Sequence, residues 1–153
     1  MNIRVAEQKD IEDIVNLSME FESYLDELES TPDSEKISKQ QVKEVFSEGF
    51  SDPKHVILVA EEEEDIVGFS DFWVYPEMIH GGLSAYLNNL FVTPKFQRKG
   101  IGSQLLTEIL KRSKEMGAVA LHISVLPENI IAQNFYKKNG ITWEIKMFEV
   151  KLK

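Results

Sequence analysis

The sequence predicts a single α/β domain built on a mixed β-sheet. Two observations support this fold class: short runs of β-branched and aromatic residues alternate with longer segments of helical periodicity, and turn-forming residues separate them. A chain of 153 residues fits one domain, residues 1–153, and a globule of that size buries about two thirds of the surface that its unfolded chain exposes. The expected order of elements is β-α-α-β-β-β-α-β-α-β.

The chain begins with a short strand and a long amphipathic helix. Residues 2–6 form the predicted strand, and Asp10 can cap a helix whose apolar positions mostly follow helical spacing as far as Leu28. The Ser-Thr-Pro-Asp sequence at residues 30–33 should end this helix, because proline cannot continue it.

A second amphipathic helix and a β-hairpin follow. Ser38 and Gln41 form a capping box in front of an apolar stripe that ends at Phe50. Residues 56–60 and 66–74 are rich in β-forming residues, and an acidic run, Glu-Glu-Glu-Glu-Asp, lies between them. We therefore expect an antiparallel hairpin with an exposed acidic turn.

The second half of the chain predicts three strands and two helices. The helix at residues 100–116 has the strongest pattern, with one apolar stripe, basic residues near its end and Gly117 just past it. The remaining elements, in chain order, are a strand at residues 86–92, a strand at residues 119–125, a helix at residues 129–139 that Gly140 stops, and a last strand at residues 141–152 that closes the sheet.

Composition excludes several classes of function. The chain has no cysteine, so it has no disulfides, no thiolate metal sites and no protein thiol that could carry an acyl group. A net charge of −9 and a pI near 4.9 argue against nucleic acid or an anionic membrane as a partner, since both attract basic surfaces. Because the chain shows neither a leader pattern nor a span of about 18 apolar residues, we expect a cytoplasmic protein.

The segment at residues 97–102, Gln-Arg-Lys-Gly-Ile-Gly, predicts a phosphate-binding turn. It lies between a strand and a helix start, where free backbone N–H groups attract anions, and its two glycines let a phosphate approach the chain. No acidic residue occurs between Pro94 and Glu108, although acids are favoured in a first helical turn. The positive charge here therefore suits an anion that comes from outside the chain.

Two motifs resemble those of the GNAT superfamily of N-acetyltransferases. The Gln-x-x-Gly-x-Gly sequence after a strand ending in Leu-Phe-Val-Thr-Pro is similar to the acetyl-CoA motif of that family. Residues 129–140 match the family's second motif, Asn-x-x-Ala-x-x-Phe-Tyr-x-x-x-Gly, at every named position. The resemblance covers almost the whole chain. It implies a twisted, mostly antiparallel sheet with a splayed parallel strand pair, flanked by four helices.

The resemblance also implies where acetyl-CoA binds. Its pantetheine arm would enter between the strands at residues 86–92 and 119–125, and its diphosphate would lie on the turn. Tyr136 would lie next to the thioester sulfur. The residues expected to bind the co-substrate are Leu90, Phe91, Val92, Gln97, Arg98, Lys99, Gly100, Ile101, Gly102, Ser103, Asn129 and Ala132.

Without a cysteine, we expect an amine to attack the thioester directly. This reaction needs an oxyanion donor and an acid for the departing thiolate. A backbone N–H near Leu90 would be the donor. Tyr136 would be the general acid, because a phenol of pKa about 10 can protonate a thiolate whose thiol has a pKa of about 8.5.

The general base is harder to identify. Residues 86–90, Tyr-Leu-Asn-Asn-Leu, resemble diamine acetyltransferases, which carry Glu-Asp where this chain has Asn88 and Asn89. Neither asparagine can be a base, and two of them in an apolar strand also suggest a β-bulge or a hydrogen-bonded polar pair. His55 and His122 lack the partner spacing of a metal site or a triad, so we assign them structural roles and expect no metal. One candidate base is a water molecule held by Asn88. The other candidates are the side chains of Asp71, Glu77 and His80.

The acceptor is expected to be a small amine such as a polyamine, rather than a peptide amine. The end of the first helix carries acidic residues that would attract a cation, although a solvated helix face explains them equally well: they are Glu20, Glu22, Asp26, Glu27 and Glu29. The connection at residues 76–85 should shape either the acceptor pocket or a contact between two copies in a homodimer. Two alternatives remain: a catalytically silent acyl-CoA-binding module, which the missing carboxylate at Asn88 would suit, and a nucleotide-binding regulator.

Overall fold

A computed structural model describes residues 1–29 and 36–152 of the chain. Within these residues, five strands and four α-helices form the predicted α/β arrangement, and none of the helices is long and apolar enough to cross a membrane. In chain order the elements are β1 (Asn2–Val5), α1 (Ile11–Leu28), α2 (Lys39–Gly49), β2 (His55–Glu62), β3 (Asp65–Glu77), β4 (Gly82–Val92), α3 (Ile101–Glu115), β5 (Ala118–Ile123) and α4 (Ile130–Lys138). The predicted helix stop at residues 30–33 lies outside the described residues.

The five strands form one mixed sheet in the order β1-β2-β3-β4-β5. Neighbours from β1 to β4 are antiparallel, whereas β4 and β5 are parallel and are joined through α3. The β4–β5 ladder ends at Leu87 opposite Ile123, where β5 stops, while β4 continues to Val92. The expected splay of these strands is therefore confirmed. Among the described residues, no strand lies beside residues 88–92 of β4 on that side.

Helices cover both faces of the sheet, and alternate residues of the central strands enter two hydrophobic cores. The core under α3 includes Leu58, Phe72, Leu87, Leu105 and Ile109. The core under α1 and α2 includes Ile14, Val42, Phe46, Val59 and Phe69. The sheet is therefore buried on both faces at its centre, which fixes the positions of β3 and β4.

The two predicted helix caps have different outcomes. The capping box of α2 is confirmed, because the Ser38 hydroxyl accepts a hydrogen bond from the backbone of Gln41 (3.2 Å) and the Gln41 side chain accepts one from the backbone of Ser38 (2.8 Å). Asp10 is the N-cap residue of α1 as predicted, but its side chain makes no cap hydrogen bond to that helix, because a 3₁₀ turn that includes Asp10 precedes α1. Its carboxylate instead accepts hydrogen bonds from the Arg4 guanidinium (2.7 and 2.9 Å) and the Glu7 N–H (2.7 Å).

The connection between β3 and β4 is shorter than predicted. β3 extends to Glu77 and β4 begins at Gly82, so residues 78–81 form a tight turn where the sequence predicted a loop over residues 76–85. These strand ends lack large apolar side chains on alternate positions. The ends of β3 and β4 are held together by backbone pairing, with Glu77 opposite Gly82. The pattern of side chains in the sequence does not reveal this pairing.

The predicted last strand at residues 141–152 is wrong. This segment, which we call the C-terminal arm, contains neither strand nor helix. Its apolar and polar residues alternate as in a half-buried strand, but a strand also needs a neighbour to complete its hydrogen-bond ladder. In the described chain no strand pairs with the arm, and Trp143, Phe148 and Leu152 are 88%, 90% and 91% exposed.

Candidate active site

The turn before α3 leaves the first backbone N–H groups of the helix available to a ligand. Gly100 is the N-cap residue, its backbone is left-handed with φ 83°, and none of the side chains that the structure describes caps the helix. The first turn also contains no acidic residue. The N–H groups of this turn and the positive end of the helix dipole are therefore unopposed by any described side chain. A helix start of this kind binds phosphate groups.

Basic side chains surround this turn. Arg98 and Lys99 are exposed immediately before the helix. The Nζ atoms of Lys95 and Lys99 lie 5.4 and 4.8 Å from the centre of the Phe96 ring, so the ring supports both lysines. The next acidic residue along the chain is Glu108, and it is already bound to Arg112 (2.7 Å). The local charge is thus positive on a chain with a net charge of −9.

Two of the predicted contact residues also organise the turn. Gln97 Nε2 donates a 2.7 Å hydrogen bond to the backbone oxygen of Val92, which ties the turn to the end of β4. A Cβ on Gly102 would lie 3.3 Å from the Phe135 ring and 3.8 Å from Leu90. The sequence predicts a glycine here because a phosphate must approach the backbone. The structure adds a second reason, since a larger side chain would press against Phe135. α3, α4 and the end of β4 meet at this point.

The end of β4 brings Leu90, Phe91 and Val92 to the same turn. Phe91 and Val92 are each 6% exposed, and their side chains enter opposite cores. Leu90 packs against the core under α3. Phe91 and Val92 therefore offer a ligand only their backbone groups, and an extended ligand arm can bind along the open side of β4 as an added strand would.

α4 carries the second group of predicted residues. Asn129 is its N-cap, and its side-chain oxygen accepts hydrogen bonds from the backbone N–H of Ala132 (3.1 Å) and the hydroxyl of Tyr24 (3.4 Å). Tyr136 packs against the core under α3, beside Phe135. Burial raises the pKa of Tyr136 to about 12. Its hydroxyl therefore keeps its proton at neutral pH.

A pocket of about 270 Å³ opens between α1, α2 and the sheet. Its polar lining consists of Ser18, Glu22, Asp71, Asn88 and Asn89, and its apolar lining of Ile37, Val42, Val45, Phe46 and Trp73. The two asparagines are the first residues of β4 beyond the end of the β4–β5 ladder. The pocket therefore reaches the open edge of β4.

A buried carboxylate forms part of this pocket. Asp71 is 2% exposed. Asn88 Nδ2 donates a hydrogen bond to its Oδ2 (2.9 Å), Asn89 Nδ2 donates one to its Oδ1 (2.7 Å), and His55 Nε2 lies 2.6 Å from Oδ2. A carboxylate has about four lone-pair sites, so the three described contacts leave roughly one for a ligand.

Both asparagines reach Asp71 because β4 contains a bulge. Asp71 is opposite Asn89 and Phe72 is opposite Leu87, which leaves Asn88 as an extra residue. Neighbouring side chains of a regular strand point to opposite faces, whereas this bulge lets Asn88 and Asn89 contact one carboxylate. The expected bulge and the expected hydrogen-bonded polar pair are both confirmed.

Of the acidic residues at the end of α1, Glu22 lines the pocket. Burial, and then the charges of Asp26 and Glu29, raise the pKa of Glu22. Asp26 is held by Lys36 through an ion pair of 3.2 Å. A cation in the pocket would offset both the burial and the repulsion at Glu22, so the pocket favours a positively charged ligand.

Two of the candidate bases lie elsewhere. His80 Nδ1 is 2.7 Å from Glu77 Oε2 at the β3–β4 turn, and this hydrogen bond lowers the pKa of Glu77 to about 2. Glu77 is about 20 Å from Asp71 along an extended strand, and neither Glu77 nor His80 lines the pocket. His122 contacts the Tyr75 hydroxyl (2.8 Å). Within residues 1–29 and 36–152, no group of three or more acidic or histidine side chains could hold a metal ion.

The sequence did not predict that His55 and Trp73 belong to this network. His55 is 6% exposed, contacts Asp71, and stacks on Trp73 with ring centres 4.0 Å apart. Its Nδ1 atom is buried and has no hydrogen-bond partner among the described residues. The pairing of β2 with β3 places His55 opposite Trp73, and a register shift at Ala60/Glu61 produces that pairing.

Comparisons with known proteins identify the family of the chain. The model of the acetyltransferase (GNAT) family matches residues 12–141. The uncharacterized N-acetyltransferase YhfO of Bacillus subtilis is 27% identical over 140 residues, which are 92% of this chain and 89% of that protein. The thialysine N-epsilon-acetyltransferase of Bos taurus is 27% identical over 147 residues, 90% of this chain and 82% of that protein.

A solved structure shares the fold. The aminoglycoside N-acetyltransferase AAC(6')-Iy in complex with CoA superimposes with a TM-score of 0.76 at 19% identity, over 99% of each chain. At 19% identity this likeness shows only a shared fold. The match to the family model shows the enzyme class. The chain belongs to the GNAT family of acetyltransferases.

Proposed function

We propose that this GNAT acetyltransferase transfers an acetyl group from acetyl-CoA directly to the primary amine of a small, positively charged molecule. One observation carries the proposal: the open edge of β4 connects the anion-binding turn of α3 to a pocket with a buried carboxylate. One end of the site suits a diphosphate, and the other suits an ammonium group.

The turn of α3 holds the diphosphate of acetyl-CoA in this proposal. The backbone N–H groups of Ile101, Gly102 and Ser103 donate to its oxygens, and Arg98 and Lys99 neutralise its charge. The absence of any described side-chain cap at this helix start supports the assignment.

The pantetheine arm follows the backbone of residues 90–92 and passes Asn129 and Ala132. The contact of Gly102 with both Leu90 and Phe135 supports this path, because it brings the turn, β4 and α4 together. Gln97 positions the turn through its hydrogen bond to the end of β4.

Tyr136 is the proposed general acid. A backbone N–H near Leu90 stabilises the charge on the carbonyl oxygen, and Tyr136 gives its proton to the departing sulfur. The raised pKa of Tyr136 keeps this proton in place at neutral pH. A thiolate leaving in the same buried site also gains proton affinity, since both anions lose hydration there. The phenol therefore remains a usable acid.

Asp71 is the proposed partner of the amine. An amine with a pKa of about 10.4 is mainly protonated at pH 7, and removing that proton costs roughly 4.6 kcal/mol. The remaining lone-pair site of Asp71 holds the ammonium group, and the carboxylate takes one of its protons to give the neutral amine, which then attacks the thioester. The nitrogen loses its second proton to solvent as the C–S bond breaks and Tyr136 protonates the sulfur. Among the candidates that the sequence left open, Glu77 and His80 do not line the pocket, and Asn88 uses its amide to bind Asp71.

A small cationic acceptor fits the charges of the pocket. Glu22 and Asp71 are both acidic, and the pocket holds about 270 Å³. The name of the bovine relative, thialysine N-epsilon-acetyltransferase, gives an amine nitrogen of a single amino acid as the acceptor of that protein. This supports a small-molecule amine over a peptide amine.

The test combines binding with turnover. Calorimetry measures uptake of acetyl-CoA, and a thiol reagent follows CoA release with a panel of mono- and diamines. The chain has no cysteine, so the protein adds no background to the thiol signal. We expect Tyr136→Phe to bind acetyl-CoA normally but to release thiol about 100-fold more slowly.

Each alternative function predicts a different result. If acetyl-CoA binds but no amine is acetylated, the chain is a catalytically silent acyl-CoA-binding module. If ATP competes with CoA at similar affinity, it is a nucleotide-binding regulator. No uptake of acetyl-CoA by folded protein would contradict the proposal as a whole.

A further inference from the structure

His55 lies behind the pocket of Asp71 and not in it. Asp71 and Trp73 line that pocket, whereas His55 does not. The side chain of His55 is fully buried, its Nε2 atom is 2.6 Å from Oδ2 of Asp71, and its ring stacks on Trp73 with 12° between the two ring planes. His55 can therefore act on a ligand in the pocket only through these two residues.

The surroundings of the imidazole ring determine which nitrogen carries its proton. Nδ1 is buried and has no hydrogen-bond partner among residues 1–29 and 36–152. It lies so close to Gly49 that the Cβ of any other residue there would collide with it. A proton on Nδ1 would thus have no described acceptor, and an unpaired buried donor is costly. A proton on Nε2 is instead donated to Asp71, so the proton is on Nε2.

We propose that His55 is a positioning residue that orients the carboxylate of Asp71 toward the acceptor amine. This inference rests on the proposed role of Asp71 as the group that meets the amine. The torsion angle that turns an aspartate carboxylate is broad, so the side chain does not orient its own oxygens. Hydrogen bonds from neighbouring groups must do so.

The three described donors leave one defined lone pair on the carboxylate. Asn88 and His55 both donate to Oδ2 of Asp71, and Asn89 donates to Oδ1. Each carboxylate oxygen has about two lone pairs, so Oδ2 is saturated and the free lone pair belongs to Oδ1. The acceptor amine therefore meets Oδ1.

His55 is the most constrained of these donors. Its side chain is fully buried between Trp73 and Gly49, whereas Asn88 is exposed and Asn89 is half-buried. A histidine with one proton also donates without adding a positive charge. A lysine or arginine at this position would offset the negative charge with which Asp71 attracts an ammonium group.

Loss of the Nε2 donor would free a lone pair on Oδ2. The carboxylate could then turn, and the ammonium group could bind to either oxygen. A displacement of about 1 Å from the reacting geometry can cost about 100-fold in rate. The affinity for acetyl-CoA should not change, because the anion-binding turn of α3 lies at the other end of the site.

Two amide variants separate the hydrogen bond of His55 from its packing. Glutamine can place its amide nitrogen near the position of Nε2, asparagine can place its own only near Nδ1, and both lack the ring that stacks on Trp73. We expect kcat/KM for the amine to fall about 50-fold in His55→Asn but only a few-fold in His55→Gln. Both variants should bind acetyl-CoA with wild-type affinity, which calorimetry measures and which also shows that they fold. Equal losses in the two variants, or no loss in His55→Asn, would overturn the proposal.

Nitrogen-15 NMR tests the position of the proton in the wild-type chain, without any substitution. The chain has three histidines and a mass of 17.6 kDa, so their ring signals can be assigned directly. The protonated and the bare nitrogen of a neutral imidazole have well-separated chemical shifts. For His55 we expect a bare Nδ1 and a protonated Nε2. The opposite tautomer, or a ring protonated on both nitrogens, would overturn the proposal even if a variant failed to fold.

Failure of this inference can be distinguished from failure of the proposed function. Wild-type protein that acetylates no amine would contradict the proposed function, and the role of His55 would fall with it. Amine acetylation by the wild type together with equal losses in the two amide variants would remove only the role of His55.

Discussion

Replacing Asp71 with asparagine tests the polar network at the centre of the site. The substitution keeps the shape of the side chain but exchanges one acceptor oxygen for a donor NH2 group. The hydrogen bond from Asn89 can persist on the remaining oxygen. In the wild type, Asn88 Nδ2 and His55 Nε2 contact Oδ2 of Asp71. In the variant, the new NH2 group takes the place of this oxygen and faces both nitrogens.

The stability lost in Asp71→Asn depends on whether Asn88 and His55, the two donors that lose their acceptor, can find another partner. Asn88 is exposed and can turn to water. His55 can accept through Nε2 only by moving its proton to Nδ1, which is buried and has no hydrogen-bond partner in the described part of the chain. One unsatisfied buried donor costs about 1–3 kcal/mol, so we expect Asp71→Asn to lower the free energy of unfolding by about 2 kcal/mol. For a domain of this size, that corresponds to a fall in Tm of about 4–8 °C.

Urea unfolding followed by the fluorescence of Trp73, which stacks on His55, measures this loss. The midpoint should fall while the m-value stays constant. Ser70→Ala is the matched control. Ser70 is also fully buried, but its hydroxyl has no hydrogen-bond partner among residues 1–29 and 36–152, so its removal should be neutral or slightly stabilising. If Asp71→Asn is as stable as wild type, the network does not hold the strand pair as described. In the folded variant, kcat/KM for the amine should fall at least about 100-fold at unchanged acetyl-CoA affinity.

Three further predictions concern single side chains. Gly49→Ala should cost about 1–3 kcal/mol in urea unfolding, because the new Cβ would lie 2.3 Å from Nδ1 of His55; an unchanged midpoint would contradict the packing. Glu22→Gln should raise stability at pH 7, because the pKa of Glu22 is raised in the folded protein and stability therefore falls as pH rises above the usual value of 4.5. The same variant should raise KM for cationic amines. A drop in its stability would show that the charge of Glu22 is already paired. The hydrogen bond from Arg4 lowers the pKa of Asp10 below its usual value of 3.8, so its stabilisation is present above that pH and lost as pH falls through the lower folded value. Asp10→Asn should therefore flatten the acid limb of a pH–stability curve, and a parallel curve would show that other carboxylates dominate it.

Elements whose pattern depends on their own residues could be predicted from the sequence. The apolar stripe and the glycines of α3 specify a helix and its start, and the capping box of Ser38 and Gln41 specifies the start of α2. The arm is the opposite case. Its alternating residues specify a strand, but a strand exists only through the ladder it forms with a neighbour, and the sequence of one chain does not say where that neighbour is.

The role of His55 could not be predicted because it depends on strand register. The turn of the β2–β3 hairpin pairs Glu62 with Asp65, and an uninterrupted ladder from there would place His55 opposite Phe72, whose side chain enters the core under α3. The irregularity at Ala60/Glu61 shifts the pairing by one residue, and His55 comes to lie opposite Trp73 instead. A shift of one residue moves a side chain to the other face of the sheet. This shift brings His55 to Asp71.

The site contains a buried carboxylate although β4 carries two asparagines and no acidic residue there. The diamine acetyltransferases that residues 86–90 resemble carry Glu-Asp at the positions of Asn88 and Asn89. In this chain the carboxylate lies on the neighbouring strand, at Asp71, and both asparagines donate hydrogen bonds to it. Two adjacent carboxylates facing a third would repel one another in a buried site, whereas two amide donors stabilise a single charge. The asparagines are therefore the residues that an acid at position 71 requires, and their presence on β4 supports Asp71 as the group that meets the amine.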